Sequence, residues 1–183
     1  MKRIALDFAI LLGFVLVAVP LYSRRAQVSA TLWHWRHGSS AVIGDYTVPV
    51  PDHWLPGIDR NEGMITLLDT RPAQSVDPLG GGNVISISVR GFPFHDLNAV
   101  VRQERQRLER HGLKNIEEHA ILVGDERIQC FGGTELRDLL HLPATQLLSS
   151  QCYSTGRLSL GFTGDQEGLQ EFYLIVSRIR KRG

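Results

Sequence analysis

Residues that carry chemistry by themselves are scarce in this sequence. Only two of its 183 residues are cysteines, which excludes a disulfide-dense scaffold and a four-thiolate zinc site. It has no G-x-S-x-G, no H-E-x-x-H, no phosphate-binding loop, no C-x-x-C and no calcium loop. Gly80-Gly81-Gly82 runs into Asn83 and a strand pattern, not into Lys-Ser/Thr and a helix, so it does not cradle phosphate. The seven histidines are dispersed, and His95-Asp96 is only a neighbouring pair at a helix start. A histidine–serine pair brought together by folding is the form that catalysis could still take. Excess charge of one sign is also missing. The formal net charge is +1 and the sequence pI is about 7.9, so no global field recruits nucleic acid or acidic substrates. What remains is ordinary globular material, 43% hydrophobic and 21% charged, enough for one domain and an attached segment.

The small charge is unevenly spread. Residues 1–39 hold Lys2, Arg3, Arg24, Arg25 and Arg36 against Asp7 alone, whereas the rest of the chain is mildly acidic. That basic excess surrounds residues 8–22 (FAILLGFVLVAVPLY), an apolar run without a charge that Ile4-Ala5-Leu6 extends. Residues 4–22 are nineteen in number, within the range of about 17–25 that crosses a bilayer if Asp7 lies among the headgroups. A cleaved signal peptide is the alternative, but the run leads into Pro20-Leu21-Tyr22-Ser23-Arg24-Arg25 rather than small residues, so an uncleaved signal anchor over 1–23 is expected. The charges on its two sides nearly balance. Because long C-terminal domains translocate largely regardless of charge, we expect the domain outside the cytoplasmic (inner) membrane, on its outer, periplasmic face.

Residues 24–40 read as a juxtamembrane segment and linker. Trp33 and Trp35, with Arg24 and Arg25, suit the membrane interface, and this reading outweighs a metal site at His34 and His37, for which no third ligand follows. Gly38-Ser39-Ser40 then reads as a short flexible linker into a soluble domain over 41–183.

From Ser40 onward the pattern is of short alternating runs. Residues 46–50 alternate, and two prolines suggest an edge strand. Strands are expected at 64–68 and 84–89, separated by a breaker-rich loop. A helix capped by Asp96 runs to His111 and stops at Gly112, burying Leu97, Val100, Val101 and Leu108; its arginines are interspersed with Glu104 and Glu109, so they read as a solvated face, not a nucleic-acid surface. Two hairpins follow, over 116–136 and 146–162. Asp165 caps a last helix whose apolar stripe is Leu169, Phe172, Tyr173, Val176 and Ile179, with the basic residues 178–182 complementing its dipole. The expected fold is α+β: a mainly antiparallel sheet covered by two amphipathic helices and preceded by one N-terminal transmembrane helix. Alternation places Cys130 and Cys152 opposite one another if their strands pair in the matching register. A disulfide then forms in an oxidising compartment; two buried thiols are the alternative.

Residues 46–54 (YTVPVPDHW) resemble the opening signature of the PsbP-like superfamily, and residues 157–179 (RLSLGFTGDQEGLQEFYLIVSRI) are similar to its last strand and C-terminal helix. The family includes extrinsic photosystem subunits, DcrB-type bacterial lipoproteins and a small nuclear-import cofactor. The resemblance implies an accessory role, by docking on larger partners rather than by catalysis. The chain departs from the lipoproteins in having no N-terminal cysteine to carry lipid, a place the apolar segment would take. The expected function is therefore a membrane-anchored, non-catalytic accessory domain of a larger membrane or envelope complex, with small-molecule or lipid binding between sheet and helix as the alternative and hydrolysis behind both. Asp69, Arg71, Asp77, Arg102 and Arg105 are the candidate partner surface. No cofactor, metal or nucleic acid is called for.

Overall fold

The computed structural model describes residues 24–71, 82–89, 96–110, 112–123, 126–137 and 145–182. The chain runs α1 (Arg25–His37), β1 (Ser40–Ile43), β2 (Tyr46–Pro49), β3 (Trp54–Asp59), β4 (Met64–Asp69), β5 (Val84–Val89), α2 (Leu97–Arg110), β6 (Leu113–Val123), β7 (Glu126–Arg137), β8 (Thr145–Ser154), β9 (Leu158–Gly164), α3 (Gln166–Ser177) and β10 (Arg180–Lys181). These form an antiparallel seven-stranded sheet, β3-β4-β5-β9-β8-β7-β6, and a three-stranded one, β1-β2-β10. The expected α+β class with antiparallel pairing is what the chain adopts.

Alternation decides what each face of the large sheet buries. Along one register row lie Ile58, Ile65, Ile87, Leu160, Cys152, Cys130 and His119, one from each strand. The five central members of that row are fully buried. Onto this face α3 lays Phe172, Ile175 and Val176, and the small sheet adds Ala41, Ile43, Tyr46 and Val48 to the same core. The opposite face is covered at the β7–β8 end by α2, whose Val101 packs with Phe131 and Tyr153 while Leu97, Val100 and Leu108 close around them. Both helices therefore cover sheet, on opposite faces. Their starts follow the expected chemistry: Asp96 accepts from the Ala99 N–H (2.9 Å) and Asp165 from that of Gly168 (2.8 Å).

Three expectations need correction. Residues 46–49 are the middle strand of the small sheet, not an edge. Pro49 is tolerated because β10 pairs only with Thr47 and Tyr46, leaving no donor needed at Pro49 on that side. The last helix stops at Ser177; Ile179 turns into the core, 2% exposed, and Arg180–Lys181 form β10, so the basic tail is strand and not helix end. Residues 24–40 are not a loose linker. Here α1 packs against β3, Gly38 turns with φ 75°, a conformation that glycine adopts without strain, and Ser39 accepts the Val50 N–H at 2.8 Å. Among the described residues no helix is long and apolar enough to cross a membrane; residues 1–23, with the expected span, lie outside them, as do Asp77 and the Gly124-Asp125 turn.

Cys130 and Cys152 occupy directly opposed positions on β7 and β8, with Cα atoms 4.1 Å apart, and are bridged. The register on which the expected bridge depended is the register found. Glu126 joins the two sheets: it accepts from Tyr46 Oη at 3.0 Å and meets Lys181 Nζ at 3.6 Å. Burial first, and then the Glu126 carboxylate, push the Tyr46 phenol up to about 12.

Two outcomes are expected. Replacing both cysteines by alanine will lower unfolding stability by about 3 kcal/mol, measured in urea, because the bridge removes entropy from the unfolded chain; the unreduced wild type should titrate no thiol when denatured. Tyr46 has a folded value above its unfolded one, so its contribution is complete below about pH 10 and lost as pH climbs through the folded value. Phenolate absorbance should therefore show a transition near pH 12 that Tyr46→Phe removes.

Candidate functional site

A cleft of about 600 Å³ opens between the N-terminal half of α3 and the core face of β6–β8. Its origin is a missing side chain. Glu117, Gly132 and Ser150 are register partners across β6, β7 and β8, and Gly132 leaves the middle of that row empty. A Cβ there would stand 3.1 Å from the Ser149 carbonyl oxygen, tighter than ordinary contact. Leu148, Leu169 and Tyr173 supply the apolar walls, and Glu117, His119, Thr134 and Gln166 the polar groups. At the rim, β6 carries a register shift between Lys114 and Glu117, with Asn115 at φ 53°. Asparagine tolerates that left-handed backbone better than most residues, and such bulges often re-aim side chains beside binding sites.

At the cleft floor Tyr173 Oη and the buried Ser150 Oγ lie 3.0 Å apart, and the His119 ring meets the Tyr173 ring edge-on at 4.5 Å between centroids. Burial lowers the His119 pKa against the opposing pull of Glu117, and burial raises that of Tyr173 despite its bond to Ser150. The floor is thus a neutral imidazole and a neutral phenol at neutral pH, beside the Glu117 carboxylate. Serine and histidine do come into one place, but the tyrosine stands between them. A hydroxyl without a base bonded to it is not an activated nucleophile, whereas hydroxyl, imidazole and carboxylate among leucines can orient a bound molecule.

A second cluster sits where β3 begins and β4 ends. Arg71 donates to Asp69 (2.7 Å), Glu167 (2.6 Å) and Glu171 (3.2 Å), and Glu171 also accepts from Trp54 Nε1 (3.0 Å) and lies 2.9 Å from His53 Nε2. The ligand atoms of His53, Asp69 and Glu171 fall within 4.8 Å of one another, a spacing that a metal ion could use. The cation that these carboxylates already hold is the Arg71 guanidinium. Asn83 completes the group, donating to Asp69 (3.0 Å) and accepting the Asp165 N–H (2.8 Å) at the start of α3. A Cβ on Gly164 or Gly168 would overlap the Asn83 side chain, so these two glycines allow the close approach. The arrangement clamps α3 to the end of the sheet.

The candidate residues expected from the sequence therefore divide. Cys130 and Cys152 meet. Asp69 and Arg71 face one another and α3, which uses their charges inside the molecule. Arg105 is paired with Glu109 (2.9 Å) and with Glu118, and Arg102 stands exposed on α2. Arg24, Arg25 and Trp35 lie on the outside of α1, but Trp33 turns inward against the core and stacks on His37 at 5.0 Å. His34 points its ring nitrogens at the carbonyl oxygens of Gly38 (3.0 Å) and Trp54 (3.2 Å). Sequence reasoning allowed a pocket between sheet and helix as its alternative but assigned to it none of the residues that line this cleft. Its one legible sign was Gly132-Gly133 inside a strand pattern, which marks a bulge or a close approach. No protein-family model matches this chain, and no curated protein matches it.

Burial alone would raise the Asp69 pKa, but hydrogen bonds from the Arg71 side chain, Asn83 and the Arg71 N–H outweigh it and hold the carboxyl below its ordinary value. A depressed folded value contributes stability above about pH 4 that is lost as pH falls through that folded value. Arg71→Leu, which leaves the buried Asp69 without its cation, is expected to cost about 2 kcal/mol at pH 7. Urea midpoints of variant and wild type should draw together as pH falls below the ordinary carboxylate range and through the folded Asp69 value; an unchanged gap would show that the clamp is not electrostatic.

Proposed function

We propose that this chain is a membrane-anchored, non-catalytic domain of the outer face of the cytoplasmic membrane, and that it works by binding a small ligand in the cleft between α3 and β6–β8. The cleft carries this reading. About 600 Å³ falls in the range of small-molecule sites, and an apolar wall with a few converging polar groups is their usual lining. The floor favours recognition over turnover, because Tyr173 separates Ser150 from His119. Residues 8–22 supply the anchor, and the Cys130–Cys152 bridge supports an oxidising compartment. The PsbP-like resemblance agrees with the placing of its two stretches: residues 46–54 lead through β2 to the fully buried Trp54, and residues 157–179 form β9 and α3.

Docking on a larger membrane complex is the second reading, and a different observation favours it. Among the described residues β6 pairs only with β7, so its outer edge, eleven residues long with Leu122 72% exposed, can accept an extended strand of a partner. The arginines and aspartates first expected to form the contact surface support it less, since most are paired internally.

The deciding measurement is a thermal-shift screen of the full chain in detergent against amines, carboxylates, carbohydrates and lipids. One class should raise the melting midpoint by about 5 °C, since a ligand that binds only the folded state stabilises it by mass action. Glu117→Gln and Tyr173→Phe should each weaken that ligand about tenfold while leaving the unliganded midpoint near the wild type. If no class shifts the midpoint, and crosslinking in native membranes joins β6 to a stoichiometric protein, docking replaces ligand binding.

A further inference from the structure

Three of the eight large hydrophobic side chains that stand exposed among the described residues lie on α1: Val28, Leu32 and Trp35, the last 80% exposed. Spaced four and three residues apart, they form one stripe along the helix axis. Ala30, Trp33 and His34 occupy the opposite side, against the domain. Thus α1 has two apolar sides, one facing its own core and one that no element covers among the described residues. At 3.6 residues per turn Arg24 and Arg25 fall on either side of the outer stripe, at its N-terminal end.

We infer that the outer stripe of α1 lies in the headgroup layer of the bilayer, so that the helix runs flat along the membrane and fixes how the domain stands on it. This rests on the reading of residues 8–22 as the membrane anchor. That run ends two residues before Arg24, a reach of about 7 Å of chain, so α1 begins at the membrane surface. A stripe parallel to the axis reaches one common depth only if the helix lies flat; upright, Trp35 would stand about 15 Å further out than the first turn. Tryptophan, aliphatic side chains and flanking arginines are the composition that the interface of an anionic membrane takes up. The helix is not a swivelling arm. His34 bonds the Trp54 carbonyl, and Gln27 donates to the Thr70 carbonyl at 3.2 Å, so the orientation of α1 is that of the domain.

The test uses the full chain, disulfide intact, in vesicles of phosphatidylethanolamine and phosphatidylglycerol. Leu32→Cys, Trp35→Cys and, as references, Leu122→Cys and Leu174→Cys each receive an environment-sensitive fluorophore; all four sites are exposed, so the fold tolerates the label. Spin-labelled lipid carrying its quencher near the headgroup should quench positions 32 and 35 about threefold more than 122 and 174. Equal quenching at all four positions, in chain that floats with the vesicles, overturns the inference while leaving the anchor in place. Quenching at 32 and 35 that follows the ratio of protein to lipid, and not the spin label, assigns the stripe to a second copy of the chain and overturns it too. A chain that does not float with the vesicles overturns both the inference and the anchor on which it rests.

Discussion

Phe172, Ile175 and Val176 press one side of α3 onto the core face of the large sheet, and nearly everything described above follows from that contact. The burial is hydrophobic and non-directional, so by itself it would not choose where along the sheet the helix sits. Asn83 and the Arg71 group make the choice at the N-terminal end, and Ile179 with the β10 pairing makes it at the other. Held at both ends, α3 spans strands whose side chains differ in size. It shares one buried core with Cys130 and Cys152, whereas beside Gly132 it leaves the cleft.

The distribution of charge follows the same division. Where α3 is clamped, three carboxylates surround one guanidinium, and Glu171 also holds the nearby indole and imidazole, so charges first expected to face a partner are consumed by architecture. In the cleft, burial keeps His119 and Tyr173 neutral and leaves hydrogen-bonding groups without strong internal partners of opposite charge. A surface whose charges already satisfy one another has little to offer a partner, because binding would have to break good pairs to make new ones. The cleft does not carry that penalty.

On the opposite face of the sheet, α2 protects Phe131 and Tyr153, the immediate sequence neighbours of the two cysteines. Period-two alternation sends Cys130 into one layer and Phe131 into the other. The disulfide thus lies in the layer that α3 covers and ties β7 to β8 towards the β6 edge of the sheet, where both strands also support the cleft.

Alternation and capping were readable in advance because both are local. Residues 84–89 alternate whatever they pair with, and Asp96 and Asp165 cap because the orphaned N–H groups lie within three residues of them. The Cys130–Cys152 pairing was legible only in part: alternation gave each cysteine its face, and the register that sets them opposite came from the pairing of β7 with β8. Elements made by distant partners were not legible. β3 holds Pro56 and Gly57 and becomes a strand because β4 offers it an edge; β10 is two residues long and exists because β2 has an unfilled side. Trp33 and Trp35 look alike in sequence, and only the seat of α1 on β3 decides that one joins the core and the other faces outward. Likewise Glu117, Gly132 and Ser150 come together only through register, and Tyr173 and His119 only through the placing of α3. The sequence by itself determined the class of fold and the helix starts, since those depend on period and near neighbours. The tertiary structure decided the clamp, the cleft and the outward stripe, because each requires side chains far apart in the chain to be held at fixed distances by packing.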